Sequence, residues 1–251
     1  MTNTPKIYGW KRDKFDSRDR VMRFGVTDLS SLPPKVDLRD KCSPIEDQTS
    51  LGSCTANATA GALEYLENKE GTLSFENFSR LFIYFNTRVL EGSVCDDSGA
   101  TLRNAVKAVV KSGACDELIW EYDPSRFTLR PSLSCYRNAR THRITEYHRL
   151  DNFNDLLNCL AEGYPFVFGF SVYDNFESEE VARTGVLDLP SPTNVFQGGH
   201  AVCCVGYDMN EKTVLVRNSW GPNWGQGGYF TMPFAYISNP AYASDFWTLR
   251  K

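Results

Sequence analysis

Apolar residues along this chain fall into two rhythms. Between Thr101 and Ser112, Leu102, Ala105, Val106, Val109 and Val110 recur at i, i+3, i+4, i+7 and i+8, the spacing of one helix face turned to a core. Ser79 to Leu90 reads likewise with more aromatics, and Phe153, Leu156, Leu157 and Leu160 predict a shorter helix closed by Gly163. Ala56, Ala58, Ala60 and Ala62 are good helix formers whose small side chains let a helix lie close against a neighbouring layer. From residue 164 the rhythm changes. "YPFVFGFSV", "AVCCVGYD" and "TVLVRNSW" are short β-branched or aromatic runs broken by turn residues, and they read as buried strands. Phe166, Phe168 and Phe170 alternate along the first of these and read as core rather than as a cofactor box. A helical first half and a strand-rich second half predict an α+β protein of two lobes, with its ligand site in the crevice between them. No internal repeat or low-complexity tract interrupts the pattern.

Composition narrows the classes. A chain of 251 residues with 41% hydrophobic content can bury a large core. Its 27 basic and 31 acidic residues leave a net charge of −4 without long runs of one sign, which speaks against nucleic acid and anionic membrane surfaces as partners. No apolar run reaches the roughly 18 residues of a membrane span, and the first twenty residues lack the apolar centre of a signal peptide, so a cytoplasmic location is expected unless a non-standard export route operates. In such a compartment most of the eight cysteines would stay as thiols, and the Asn57 and Asn77 glycosylation patterns would go unused. Charge is uneven along the chain: residues 1–31 hold seven basic and four acidic residues, net +3, and the rest holds 20 and 27, net −7. The expected divisions are therefore an N-terminal arm over 1–31, a mainly helical lobe over 32–145 and a mainly strand lobe over 146–251.

Candidate chemistry begins at Cys54. It follows a Gly52-Ser53 turn at the start of the alanine-rich helix, where unpaired backbone N–H groups and the positive end of the helix dipole favour thiolate over thiol. A lone cysteine at a helix start is more often packed core than nucleophile. A thiolate nucleophile also needs a histidine to pair with it and a third group to fix the imidazole. Of three histidines, His142 and His148 lie in the polar stretch "RTHRITEYHRL" and read as solvent-facing, whereas His200 follows Gly198-Gly199 and opens an apolar strand. Eighteen residues on, Asn218 ends another strand and offers a carbonyl to one ring nitrogen of His200, with Trp220 placed to cover that hydrogen bond. Gln48, six residues before the cysteine, offers an amide which with the Cys54 backbone N–H would bind an oxyanion. A zinc site from Cys54, His200, Cys203 and Cys204 is disfavoured, because adjacent strand residues point to opposite faces. No nucleotide motif is present, and no cofactor is implied.

These blocks resemble the papain family of cysteine peptidases. "DQTSLGSC", "GGHAVCCVGYD" and "RNSWGPNWGQGGYF" match its nucleophile, histidine and asparagine blocks in order, over about residue 32 to the C-terminus. Cys54 and His200 are 146 positions apart, within the roughly 130–150 of papain-type enzymes. Leu51 and Thr55 depart from the family's signature, and "LGSCTANA" with "SGATLRNAV" looks more like its bacterial, xylellain-like branch. The resemblance implies a two-lobed papain-like fold, a helical lobe against an antiparallel β-barrel-like lobe. It also implies catalytic roles for Cys54, His200, Asn218 and Gln48, with Trp220 as a shield. Trp224 would line the leaving-group side, Ser98 and Gly99 would pair with the substrate main chain, and Gly199 and Ala201 would border a specificity pocket. The expected function is a cysteine-type endopeptidase acting on peptides or proteins through a thioester acyl-enzyme. A thiol acyltransferase or amidase, which needs the same triad, and a non-catalytic peptide-binding module are the alternatives. The arm, too short for a whole inhibitory domain of the family, is expected to act as an intramolecular partner, laying its basic residues and its aromatics Tyr8 and Trp10 on the acidic body and restricting the cleft as in a zymogen.

Overall fold

A computed structural model describes residues 7–25, 28–71 and 77–251; the rest of the arm, 1–6 and 26–27, lies outside the described residues. Its elements run from Trp10–Lys11 (β1) and Lys35–Asp37 (β2) to the helices Cys54–Lys69 (α1) and Arg80–Glu91 (α2). Ala100–Thr101 (β3), Leu102–Ser112 (α3) and Leu133–Ala139 (α4) complete the first half. The helices start where the sequence offers a cap. Ser79 Oγ accepts the Phe82 N–H ahead of α2, and Thr101 accepts that of Asn104 ahead of α3, so orphan donors of each first turn are satisfied by side chains. Helix α1 is buried from Cys54 to Glu67, and its alanines let α2 and α3 pack on one side and the strand lobe on the other.

The second half carries Glu146–Arg149 (β4), Phe153–Ala161 (α5), Phe166–Tyr173 (β5) and Glu179–Thr184 (α6). Phe196–Asp208 (β6), Thr213–Arg217 (β7), Tyr229–Pro233 (β8), Phe234–Ile237 (α7) and Ala243–Arg250 (β9) follow. These strands form an antiparallel sheet in the order β4-β9-β5-β6-β7-β8, and β2 joins it beside β6. The chain thus builds the two-lobed α+β fold, although its first half contributes β2 to the second lobe's sheet. At 13 residues, β6 is long enough to pair with β5 through one part and with β7 and β2 through the other. Phe166, Phe168 and Phe170 point into the core of this lobe with no exposed surface.

The readings of His142 and His148 need correction. His142 Nδ1 lies 3.3 Å from Glu67 Oε1 and its ring tilts onto Phe78 at 4.9 Å. The two imidazoles keep only 17% and 15% of their side-chain surface. Their neighbours Arg140, Thr141 and Arg143 take the exposed positions, so a polar stretch still turns individual rings inward.

Candidate active site

Cys54 occupies the first position of α1, and the turn before it is fixed from several sides. The Gly52 N–H donates to both oxygens of Asp97 at 3.1 and 3.0 Å, and Tyr84 Oη donates to Asp97 at 2.6 Å. Ser53 Oγ and Tyr122 Oη are 2.6 Å apart, and Tyr122 Oη lies 2.8 Å from the Gln48 carbonyl oxygen. The sulfur meets backbone N–H groups of Ala201, Gly9, Thr55 and its own residue. Because Ala201 directly follows His200 on β6, its N–H at the sulfur brings the nucleophile candidate and the imidazole to one place across the two lobes.

His200 has no exposed surface. Its Nε2–H donates to Asn218 Oδ1 at 2.8 Å, and that same oxygen accepts the Ser219 N–H at 2.9 Å. This hydrogen bond fixes the ring and assigns Nε2 to the asparagine, leaving Nδ1 as the nitrogen on the opposite edge. Trp220 lies over the imidazole at 5.2 Å with an interplanar angle of 30°, and Phe176 backs both rings at 6.4 and 5.0 Å. Trp224 stands edge-on to Trp220 at 5.2 Å, one step further from His200. Gln48 is held by the second lobe. Ser219 Oγ donates to its Oε1 at 2.7 Å, its backbone N–H donates to the Ser219 carbonyl at 2.9 Å, and its Nε2 donates to Leu51 O at 3.1 Å and Ile7 O at 3.2 Å.

The last of those acceptors belongs to the arm, which runs through the crevice. The Ala100 N–H donates to Gly9 O at 2.7 Å, and β1 pairs in parallel with β3 in register Trp10 to Ala100. At Gly9 the fit leaves no room for a side chain: a Cβ there would sit 1.9 Å from the Gly52 carbonyl oxygen, and one on Gly99 would sit 2.1 Å from the Gly9 oxygen. Tyr8 packs edge-on to His200 at 6.0 Å and donates its hydroxyl to Glu177, and Trp10 lies against Gly169 and Gly199.

Two expectations change in this light. The helix N-terminus was expected to activate the sulfur, but burial beneath the arm pushes the Cys54 thiol up to about 11, against the smaller opposing pull of the surrounding N–H groups. Nor, among the described residues, are the arm's buried contacts made by its cations. Asp13 and Asp19 meet Arg103 and Arg149 of the body, Arg103 bonding Asp19 through two nitrogens at 2.9 and 2.6 Å, while the arm's Lys11 reaches Glu91 only at 3.9 Å. Acids shed less rotamer entropy than lysines when ordered, and the planar guanidinium matches them in two contacts.

Of the residues singled out from sequence, the structure gathers Gln48, Cys54, His200, Asn218 and Trp220 around one point, with Gly99, Gly199 and Ala201 at its walls. Ser98 is turned aside, its Oγ donating to Ser93 Oγ at 3.1 Å. Ser219, Tyr122 and Phe176 were not singled out, though Ser219 stands inside the quoted "RNSW" and could have been found there. All eight cysteines are free thiols, Cys54 included.

Residues 32–239 match the profile of the papain family cysteine proteases. An uncharacterized peptidase C1-like protein of Acanthamoeba polyphaga mimivirus is 38% identical over 97% of this chain and 86% of its own length. Xylellain, a cysteine protease from Xylella fastidiosa, superposes with a TM-score of 0.89 at 41% identity, covering 97% of this chain and 96% of the other. A digestive procathepsin L 3 of Tenebrio molitor, at 19% identity, shares the fold with a TM-score of 0.73 over 93% of this chain and 75% of its own. The chain belongs to the papain family of cysteine proteases. It is a hydrolase, acting on peptide or protein substrates.

Proposed function

We propose that the protein is an endopeptidase whose nucleophile is Cys54, working with His200 and Asn218, and that residues 7–13 hold it latent. The observation that carries this reading is the convergence around Cys54: the backbone N–H groups of Ala201 and Gly9 both favour its anionic form, and His200, the residue before Ala201, is fixed by Asn218 at 2.8 Å. In the open cleft the sulfur regains solvent and the N-terminal turn of α1, and a thiolate paired with protonated His200 becomes the reactive form. Attack on a peptide carbonyl breaks its π bond and forms a C–S bond, with the oxyanion received by Gln48 Nε2–H and the Cys54 N–H. His200 gives its proton to the leaving amine as the C–N bond breaks, leaving a thioester. It then takes a proton from water, whose oxygen displaces the sulfur and frees the acid product.

Latency follows from what the arm occupies. The Ile7 carbonyl takes the Gln48 donor that the oxyanion needs, the Gly9 N–H lies at the sulfur, and Ala100 spends its main-chain donor on Gly9. A direct test is labelling with an epoxide probe specific for papain-type thiols. Wild-type protein freed of the arm's hold should be labelled on Cys54 and cleave peptides, and Cys54→Ala should do neither. Cleavage at full rate by Cys54→Ala would end the reading.

A further inference from the structure

The guanidinium of Arg80 lies behind Gln48 and the turn before Cys54, and it does more than answer the acids beside it. Arg80 opens α2 with 8% of its side chain exposed, its Nε 3.0 Å from Glu46 Oε2 and its Nη2 3.6 Å from Glu117 Oε1. Those two carboxylates alone would keep a buried cation in place. Nη1, however, donates to the Asp47 carbonyl at 3.1 Å and to Asn57 Oδ1 at 3.3 Å, and Cζ lies 4.0 Å from the centre of the Tyr122 ring.

From Asn57 the hydrogen bonds run in one direction. Its Oδ1 is taken by Arg80, which can only donate, so Nδ2 is the end that faces Ser53 and donates to that residue's carbonyl and hydroxyl oxygens, both at 3.0 Å. The Gln48 carbonyl can only accept, so the Tyr122 O–H is spent on it at 2.8 Å, and the Ser53 hydroxyl donates to Tyr122 Oη at 2.6 Å. The ring from Arg80 through Asn57, Ser53 and Tyr122 to Gln48 closes on Arg80 again at Asp47. Two peptide units are held in it. The Asp47 carbonyl shares a rigid peptide plane with the Gln48 N–H, and the Ser53 carbonyl shares one with the Cys54 N–H.

One side chain therefore reaches the backbone of both candidate oxyanion donors, the Gln48 amide and the Cys54 N–H. Building on the peptidase reading, we propose that Arg80 is a positioning residue of the oxyanion site, fixing the separation and angle of those two donors through Asp47 and Asn57 without touching substrate. Lysine is no substitute. An ammonium keeps the charge beside Glu46 and Glu117, but it lacks the planar fork that holds Asp47 and Asn57 together while lying over Tyr122.

Positioning splits two reactions of the same sulfur. Iodoacetamide alkylates by forming a C–S bond as the C–I bond of a saturated carbon breaks and iodide leaves, so no oxyanion develops and the thiolate suffices. Acyl transfer from a peptide needs the thiolate and both donors. The test uses full-length protein carrying Gly9→Ala to displace the arm, with and without Arg80→Lys. Loss of the fork should lower kcat on a peptide amide by about tenfold or more, with KM, the alkylation rate of Cys54 and the pH profile of that alkylation all within about twofold. In a Gln48→Ala background the same substitution should cost about threefold or less, because one donor it orients is gone. Tyr122→Phe keeps the ring under the guanidinium and deletes the hydroxyl link; it should lower kcat by about fivefold with alkylation unchanged, and it decides the question where Arg80→Lys fails to fold. Cleavage and alkylation falling together, neither falling, or the full tenfold cost persisting in Gln48→Ala would overturn the role of Arg80. Cleavage that survives Cys54→Ala would instead overturn the peptidase reading beneath it, so the two failures are told apart.

Discussion

Gln48 ends in a donor nitrogen and an acceptor oxygen of similar size, and its neighbours fix which end faces where. The carbonyl oxygens of Leu51 and Ile7 only accept, so Nε2–H is the end turned toward them and the crevice, and Oε1 takes the Ser219 hydroxyl at 2.7 Å. Removing the amide, as in Gln48→Ala, should lower kcat by about 10²–10³ if one oxyanion donor is lost. Ser219→Ala removes only the hydrogen bond that orients it, worth about 1 kcal/mol, and should lower kcat by up to about tenfold with little change in KM. Single-turnover kinetics on arm-displaced protein checks both, and an unchanged rate in Gln48→Ala would exclude an oxyanion role. Gln48, Cys54, His200 and Asn218 were legible in the sequence as a candidate site because each brings a reactive or polar group that the proposed acyl transfer requires. Ser219 and Tyr122 were not, because they act on Gln48 and the turn rather than on substrate, and nothing in a serine or tyrosine alone says so.

Among the elements, the arm was the hardest to read. Its one strand, β1, and the β3 it pairs with are each two residues long, too short for any periodicity, and its place depends on the absence of side chains at Gly9 and Gly99. Its charge suggested a cationic strap, yet the buried anchors are Asp13 and Asp19. Asp13 has no exposed side-chain surface and faces Arg149 of β4, Trp247 and Asp245 of β9, the Arg103 backbone of α3, and Asp19 close by on the arm itself. Three carboxylates stand among the guanidinium groups of Arg103 and Arg149, and the arm's Arg12 acts on Asp245 as well. Burial first, then the Asp245 charge, pushes the Asp13 carboxyl up to about 6. The sign follows from linkage: the docked arm binds this proton more tightly than a free arm whose aspartate titrates near 3.9. Docking therefore gains as pH falls through 6 toward 4, and that gain is lost as pH rises through 6. Amide exchange of residues 8–13, corrected for intrinsic rate, should show stronger protection at pH 5 than at pH 7, and Asp13→Asn should flatten the difference. Protection that strengthens with rising pH would contradict this.

Across the whole molecule, one buried cation ties the lobes together. Arg217 at the end of β7 donates to the Ser43 carbonyl, to Ser43 Oγ at 3.0 Å and to the Pro44 carbonyl at 2.8 Å, and lies 3.9 Å from Glu64 of α1. Glu64 in turn accepts the Phe78 N–H at 2.8 Å and the Ser43 hydroxyl. Breaking a buried pair by removing one partner leaves the other charge uncompensated, so Arg217→Ala should cost about 3–5 kcal/mol in denaturant unfolding. A loss below about 1 kcal/mol would show that the lobes are joined by apolar packing alone. At this scale the α+β segregation was plain in the change from a 3.6-residue to a two-residue rhythm. The long-range pairing of β2 with β6 was not, since three residues carry no pattern of their own and only the register Val36 to Tyr207 reveals their place.

The central claim is that Cys54 is a nucleophile kept silent by the chain's own N-terminal residues. It is tested most directly by the rate at which an epoxide probe alkylates Cys54 at neutral pH, read by mass spectrometry in full-length wild type and in Gly9→Ala, whose added methyl has no room beside the Gly52 carbonyl. The account predicts labelling at least about tenfold faster in Gly9→Ala, confined to Cys54 and lost when His200→Ala is added. Equal rates in wild type and Gly9→Ala, or labelling indifferent to His200, would contradict it.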